Sequence, residues 1–161
     1  DLYLKNISLE KGINNFLFGL DIFNKENLEK AVLLWKEMAS KSFLIDGAEK
    51  LLLSLNDHGY ELCLMTNIDK YGYENFPYKD FLKHFDYMFL SFSRGIKKPD
   101  IRCWEIIKNH YHTDYQKMIM VGDSIEDDIF PAKSLGLGTI LVDRKNKIDL
   151  YSEIYTNLIN N

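Results

Sequence analysis

The chain has 161 residues, of which 46% are hydrophobic, and a formal net charge of −4. This length suits one domain, or one domain with a small appendage, and the apolar content excludes an intrinsically disordered chain. The acidic balance gives no broad attraction for nucleic acid or an anionic membrane, and no apolar run approaches the roughly 20 residues of a membrane span. The N-terminus lacks the pattern of a signal peptide. Two cysteines, Cys63 and Cys103, lie far apart without a CxxC pattern, which indicates a reduced protein of the cytoplasm.

The first forty residues predict two helices. Asn24 is a suitable N-cap for a helix over 24–41, and residues 8–19 have a weaker helical pattern. The apolar positions that recur at helical spacing in the second segment are Leu28, Val32, Trp35 and Met38. The chain therefore opens with an all-α segment.

Helical and strand-like segments alternate from residue 46 onward. Helices are predicted over 46–57, over 76–84, from Pro99 onward and over 127–135, and strands over 60–67, 87–92, 117–123 and 138–143. Nearly continuous apolar strands separated by helices predict an α/β fold, with a parallel sheet covered by helices on both faces. In the tail, Leu150, Ile154 and Leu158 share a helical face and are expected to dock on the core.

Polar residues follow several of these strands. Ligands of open parallel sheets bind beyond the carboxyl ends of the strands. The polar residues expected in that zone are Thr66, Asn67, Lys97, Lys98 and Asp123. The agreement between strand ends and polar side chains predicts a ligand site there.

The stretch VGDSIEDDIFPA, residues 121–132, places Asp123 directly after a strand and a glycine. Its carboxylate is a suitable ligand for a hard cation such as Mg²⁺, with either Asp128 or Asp127 as the second acid. In the alternative interpretation, the acids only favour the start of a helix electrostatically while Ser124 or Asp123 caps it.

The other strand-end residues also have two interpretations. Thr66 and Asn67 could offer a hydroxyl and backbone N–H groups to a phosphoryl oxygen, or they could simply cap a loop. Lys98 precedes Pro99, which favours an extended conformation, and its charge could neutralise a transferring phosphoryl group. The alternative is a solvated loop lysine, and this applies more strongly to Lys97.

Three segments together resemble the haloacid dehalogenase superfamily of phosphohydrolases. LMTN is similar to its second motif, GIKKPD to its third and VGDSIEDDIFPAKSLG to its fourth, in order over about residues 44–144. The resemblance implies a Rossmann-like core and Mg²⁺-dependent hydrolysis of a small phosphorylated metabolite through an aspartyl-phosphate intermediate.

The resemblance also implies a role for each matching residue. Asp123 and Asp128 would bind Mg²⁺, Thr66 and Asn67 would contact the phosphoryl group, and Lys98 would stabilise that group and the nucleophile. The paired acids favour the metal-dependent phosphatase branch of the superfamily. The chain gives no indication of oligomeric state.

The first motif of the superfamily, DxDx[TV], is not found. Asp1-Leu2-Tyr3 and Asp21-Ile22-Phe23 lack the second acid. In the superfamily the strand of this motif lies at the centre of the sheet, so its absence is expected to leave a gap. We therefore expect a partial helical cap at 1–43, a core at 44–161 without that strand, and an N-terminally truncated chain. The alternatives are a non-catalytic binding module, or a strand supplied by another chain or segment.

Overall fold

The computed structural model describes residues 1–143 and 150–159. The helices are α1 (Leu9–Gly19), α2 (Lys25–Ser40), α3 (Ala48–Asp57), α4 (Lys70–Glu74), α5 (Ser91–Arg94), α6 (Arg102–His110), α7 (Phe130–Ser134) and α8 (Leu150–Ile159). The strands are β1 (Cys63–Thr66), β2 (Tyr87–Leu90), β3 (Ile119–Gly122) and β4 (Gly138–Leu141). The predicted α/β class is confirmed.

Side-chain caps start the first two helices. The carboxamide oxygen of Asn24 accepts a hydrogen bond from the N–H of Asn27 at 2.7 Å, as predicted, and Ser8 caps α1 in the same way through the N–H of Lys11. Residues 8–19 and 24–41 are therefore helical over nearly the whole predicted length.

The chain forms two compact units. The first comprises residues 1–43, 66–80 and 90–97, and the second comprises 44–65, 81–89 and the described part of 98–161. In the first unit, α1 packs on α2 through a buried apolar cluster of Leu9, Ile13, Leu17 and Val32. The functional division at residue 43 into a cap and a core remains a prediction.

The strands of the described residues form two separate sheets of two strands each. β1 pairs with β2, and β3 pairs with β4 in parallel, with Ile119 opposite Gly138 and Gly122 opposite Leu141. Within residues 1–143 and 150–159 these strands do not form one four-stranded sheet. A core that lacks the first-motif strand remains a prediction.

Helices α3 and α8 pack together in the second unit. Leu51, Leu55 and Ile154 form a buried cluster, and Leu158 packs against it as a partly buried side chain. The predicted docking of the tail is confirmed for Ile154 and Leu158. The side chain of Leu150 lies outside what the structure describes.

Two predicted helix boundaries are wrong. The helix expected to open at Pro99 begins at Arg102, because the Asp100 carboxylate accepts the Arg102 N–H at 3.0 Å in a local turn that competes with helix formation. The short helix predicted over 76–84 is a 3₁₀ helix that begins only at Lys79 and ends at His84, and helix α4 precedes it. No helix within residues 1–143 and 150–159 combines the length and apolar character that a membrane span needs.

Candidate active site

A tight turn follows β3 and carries the acidic stretch. Ile125–Ile129 forms one π-helical turn, in which the Ser124 carbonyl oxygen accepts the N–H groups of Asp128 at 2.9 Å and Ile129 at 3.1 Å. Single π-helical turns occur frequently at functional sites. Here the turn brings Asp128 back towards the end of the strand.

Asp128 is almost completely buried and pairs with Lys98. Its Oδ1 lies 2.5 Å from Lys98 Nζ, and its Oδ2 accepts the Ser124 N–H at 3.1 Å. The two side chains are 3% and 13% exposed. Buried charges persist in proteins when they are paired and hydrogen-bonded. Lys98 is therefore one partner of a buried ion pair and not a solvated loop lysine.

Gly122 makes this arrangement possible. A Cβ atom at this position would lie 2.4 Å from Asp128 Oδ2 and 2.6 Å from its Cγ. Only a residue without a side chain therefore lets the Asp128 carboxylate pack against the last residue of β3. The glycine of the VGD sequence is thus required by packing, since it leaves room for the buried acid.

Substituting Gly122 by alanine is expected to displace Asp128 and lower the free energy of unfolding by about 2 kcal/mol, as overpacking of a tight site does. The matched control is Gly19→Ala at the end of α1, where an added Cβ meets nothing within 4 Å. That control is expected to change the free energy by less than about 1 kcal/mol. Urea denaturation of both variants measures the difference, and equal effects would contradict the packing role of Gly122.

The remaining acids of the turn have different environments. Asp123 and Glu126 are exposed and Asp127 is half-buried. The Asp127 N–H donates to Ser124 Oγ at 3.0 Å, so Ser124 caps this turn as the alternative interpretation of the sequence required. Ser124 is therefore the capping residue, and Asp128, not Asp127, is the acid that pairs with Lys98.

The donor chemistry of this turn fits Mg²⁺. The ion takes oxygen ligands, commonly from one or two carboxylates, and retains several waters. Asp123 has an exposed carboxylate directly after β3. Asp128 follows later in the same acidic segment and is held by its ion pair with Lys98. Within the described residues no three His, Cys, Asp or Glu side chains group closely enough to form a metal cage. Two carboxylates with further positions taken by water would be a sufficient ligand set for Mg²⁺.

Lys97 is placed differently from its neighbour. It belongs to the first unit, where its Nζ lies 2.6 Å from Asp1 Oδ2 and 5.4 Å from the centre of the Tyr3 ring. Both side chains of this ion pair are about one-third exposed. Lys97 thus forms a partly exposed ion pair with Asp1, whereas Lys98 forms a buried ion pair with Asp128.

Thr66 and Asn67 also belong to the first unit. Thr66 is the last residue of β1, and both residues are half-buried. The next residue is fixed by Ser91, whose buried Oγ accepts the Ile68 N–H at 3.0 Å and donates to the Ile68 carbonyl oxygen at 3.0 Å. The structure therefore holds the loop after β1 in one conformation.

Asp69 is a buried acid that the sequence analysis missed. Its Oδ1 accepts the Gly72 N–H at 3.1 Å and so caps α4, while its Oδ2 accepts the Trp35 Nε1–H at 3.2 Å. Trp35 therefore links α2 to the loop that follows Thr66. The local signal was the N-cap preference of aspartate, but the tryptophan lies 34 residues away in sequence.

Neither aspartate considered for the first motif occupies the end of a strand. Asp1 caps a 3₁₀ turn and pairs with Lys97, and Asp21 lies exposed after α1 with a φ of 56°. Neither has the environment that was expected of the nucleophile.

The cysteine thiols do not provide an alternative nucleophile at neutral pH. Burial raises the pKa of Cys63 to about 12 and the pKa of Cys103 to about 11, and both cysteines are free. The reactive species of cysteine is the thiolate, which these pKa values disfavour. Both thiols are therefore expected to be protonated at neutral pH.

Comparison with known proteins identifies the class. The family model described as haloacid dehalogenase-like hydrolase matches residues 11–136. This range covers most of the chain and contains LMTN, GIKKPD and the acidic turn. The chain belongs to the haloacid dehalogenase-like hydrolases, as its motifs implied.

Individual relatives agree with this assignment. A glyceraldehyde 3-phosphate phosphatase from Pyrococcus abyssi is 29% identical over 97 residues, which cover 60% of this chain and 41% of that protein. The crystal structure of a HAD phosphatase from Thermococcus onnurineus matches with a TM-score of 0.63 and 25% identity, over 82% of this chain and 60% of that one. A HAD family enzyme from Bacteroides thetaiotaomicron, in complex with magnesium and inorganic phosphate, matches with a TM-score of 0.65 and 20% identity, over 90% and 74% of the two chains. The chain spans less than half the length of the curated relatives it matches.

Proposed function

We propose that this chain is part of a cytoplasmic, Mg²⁺-dependent phosphatase that hydrolyses a small phosphomonoester through an aspartyl-phosphate intermediate. The proposal rests on the buried ion pair between Lys98 and Asp128. Asp128 and the exposed Asp123 lie in the same acidic segment after β3. The Pyrococcus abyssi relative, named for glyceraldehyde 3-phosphate, supports a small phosphorylated metabolite as the substrate.

Each residue has a proposed role. Asp123 and Asp128 would hold Mg²⁺, which supplies positive charge to the phosphoryl oxygens when bound. Lys98 neutralises charge on the transferring group, and its ion pair with Asp128 keeps the ammonium in one position. Thr66 and Asn67 donate hydrogen bonds to the phosphoryl group after β1. The bound magnesium of the Bacteroides thetaiotaomicron neighbour is in keeping with this assignment.

The nucleophile and the general acid are proposed to lie in a part of the protein outside these 161 residues. The positions of Asp1 and Asp21 support this, because neither follows a strand. In the same proposal, residues 1–43 are part of a helical cap and residues 44–161 belong to the catalytic core. That neither Asp1 nor Asp21 follows a strand also favours a second candidate, a binding module without catalytic activity.

The test is a phosphatase assay of the complete encoded protein. We expect phosphate release from a panel of phosphomonoesters that includes glyceraldehyde 3-phosphate, dependent on Mg²⁺ and lost in EDTA. The separate 161-residue chain is expected to have no activity. Absence of activity in the complete protein across the panel would contradict the enzyme and favour the binding module.

A further inference from the structure

Asp69 uses its two carboxylate oxygens for two different contacts. Oδ1 accepts the Gly72 N–H at 3.1 Å and caps α4, whereas Oδ2 accepts the Trp35 Nε1–H at 3.2 Å. The residue is 5% exposed. A helix cap needs one side-chain oxygen, so capping does not explain the contact with Trp35. This second contact ties the loop after β1 to α2, and all of these residues belong to the first unit.

The Trp35 indole is itself held in place. Trp35 is partly buried against the apolar cluster of α1 and α2, and its ring centre lies 6.2 Å from that of Tyr3. Tyr71 of α4 packs against the same cluster. The helix that Asp69 caps and the tryptophan that Asp69 binds therefore share their apolar neighbours. If the loop moved away from α2, the buried Oδ2 would lose this donor, which is costly for a carboxylate out of water.

A second side chain holds the loop at the residue before Asp69. The buried Ser91 Oγ accepts the Ile68 N–H and donates to the Ile68 carbonyl oxygen, each at 3.0 Å. A Cβ atom at Gly72 would lie 3.3 Å from both Asp69 Oδ2 and Ile68 Cγ1, which is closer than ordinary van der Waals contact. Two consecutive loop residues are therefore hydrogen-bonded by side chains and packed closely on Gly72.

From these contacts we infer that Asp69 is a positioning residue, which uses the Trp35 indole to hold the loop that presents Thr66 and Asn67 to the phosphoryl group. Asp69 follows these two residues in the same loop and acts through them. Hydrogen-bond donors stabilise a transition state best when they are in place before its charge develops. The catalytic part of the inference rests on the proposed function, whereas the ordering of the loop rests on the contacts alone.

A conservative substitution separates positioning from capping. Asparagine is as good an N-cap as aspartate, but its single side-chain oxygen cannot accept both the Gly72 N–H and the Trp35 N–H. In the complete encoded protein, Asp69→Asn is expected to speed hydrogen exchange at the Ile68 and Gly72 amides at least about tenfold, as loss of a hydrogen bond to a charged group would do. Exchange followed by NMR measures this change. Unchanged exchange at both amides would leave Asp69 with the capping role alone and overturn the inference.

The two tryptophans of the chain provide matched variants. Trp35→Phe removes the donor to Asp69, whereas Trp104→Phe removes a buried indole N–H that has no hydrogen-bond partner among the residues that the structure describes. We expect Trp35→Phe to speed exchange at the Ile68 and Gly72 amides as Asp69→Asn does, and Trp104→Phe to leave both unchanged. Trp35→Phe also tests the inference if Asp69→Asn does not fold.

A double variant tests whether the two groups act together. The effects of Trp35→Phe and Asp69→Asn on exchange are expected to be less than additive, because both substitutions break the same hydrogen bond. Fully additive effects would show that the two residues act separately. Equal effects of Trp35→Phe and Trp104→Phe would show a general loss of packing. Either result would overturn the inference.

Steady-state kinetics of the complete protein tests the catalytic consequence. At saturating Mg²⁺, Asp69→Asn is expected to lower kcat at least about tenfold with a small change in KM, because the displaced loop donors act mainly in the transition state. Trp104→Phe is expected to keep kcat within about twofold of wild type. If the wild-type protein has no phosphatase activity, the proposed function fails, and exchange at the Ile68 and Gly72 amides still decides the positioning role. If the wild-type protein is active and Asp69→Asn has the same kcat, the inference is overturned while the proposed function stands.

Discussion

Substituting Asp123 by asparagine in the complete protein is expected to abolish Mg²⁺-dependent turnover, with a loss in kcat/KM of about 100-fold or more. The substitution keeps the size of the side chain and removes its negative charge. Because Asp123 is exposed at the end of β3, the change is expected to leave the free energy of unfolding nearly unchanged. Initial rates over a range of Mg²⁺ concentrations measure the effect.

The matched control is Glu126→Gln, which removes one negative charge from another exposed side chain of the same turn. It is expected to retain turnover, since only the local charge changes. Binding of Mn²⁺, followed by electron paramagnetic resonance, provides a readout that is independent of activity. The Asp123→Asn protein is expected to bind the ion at least about tenfold more weakly. Retained turnover in Asp123→Asn, or equal loss in Glu126→Gln, would refute the role of Asp123 as a ligand.

The helices were predictable because their signals are local. The Asn24 cap and the period of apolar residues up to residue 40 depend on neighbours within a few turns, and both agree with the structure. The start of α6 was mispredicted for a reason that is also local. Asp100 binds the Arg102 N–H through its side chain, and the preference of proline for a first helical turn gave no information about this competition.

The environment of the candidate site was less predictable because its contacts join distant residues. Lys98 and Asp128 are 30 residues apart, and no local pattern in the sequence indicates that they pair. The requirement for Gly122 arises because a Cβ atom at this position would lie 2.4 Å from Asp128 Oδ2. No periodicity in the sequence reveals this contact. Asp69 was missed for the same reason, since its partner Trp35 lies on another helix.

The divided sheet was predictable in outline, but its edges were not. The absence of a first motif indicated a gap, and the strands of the described residues form two sheets of two strands each. The pairing register of Ile119 with Gly138 was not predictable, because the apolar runs do not define it.

Substituting Lys98 by alanine is expected to lower the free energy of unfolding by about 3–5 kcal/mol, because it leaves a buried carboxylate without its counter-charge. Asp128 is 2% exposed, and without Lys98 its carboxylate still accepts the Ser124 N–H. Urea denaturation of the 161-residue chain measures the change. The neighbouring Lys97→Ala substitution is the matched control, since its ion pair with Asp1 is about one-third exposed and is worth about 1 kcal/mol or less.

A double substitution separates loss of charge balance from loss of packing. Lys98→Met with Asp128→Asn removes both charges and retains side chains of similar size, so it is expected to recover about half or more of the lost stability. Asparagine also keeps an oxygen that can accept the Ser124 N–H. If Lys98→Ala and Lys97→Ala had equal effects on stability, the buried ion pair would be contradicted.

The same lysine has a kinetic signature in the complete protein. A lysine held by a buried carboxylate has little freedom to follow a bound substrate, and its charge is already in position when negative charge develops on the phosphoryl oxygens. We therefore expect Lys98→Met to lower kcat by about 100-fold or more while KM changes only a few-fold. A rise in KM with unchanged kcat would show that Lys98 binds the substrate and the transition state equally well. Steady-state kinetics at saturating Mg²⁺ decide between these outcomes, because they hold metal binding constant while the lysine alone is changed.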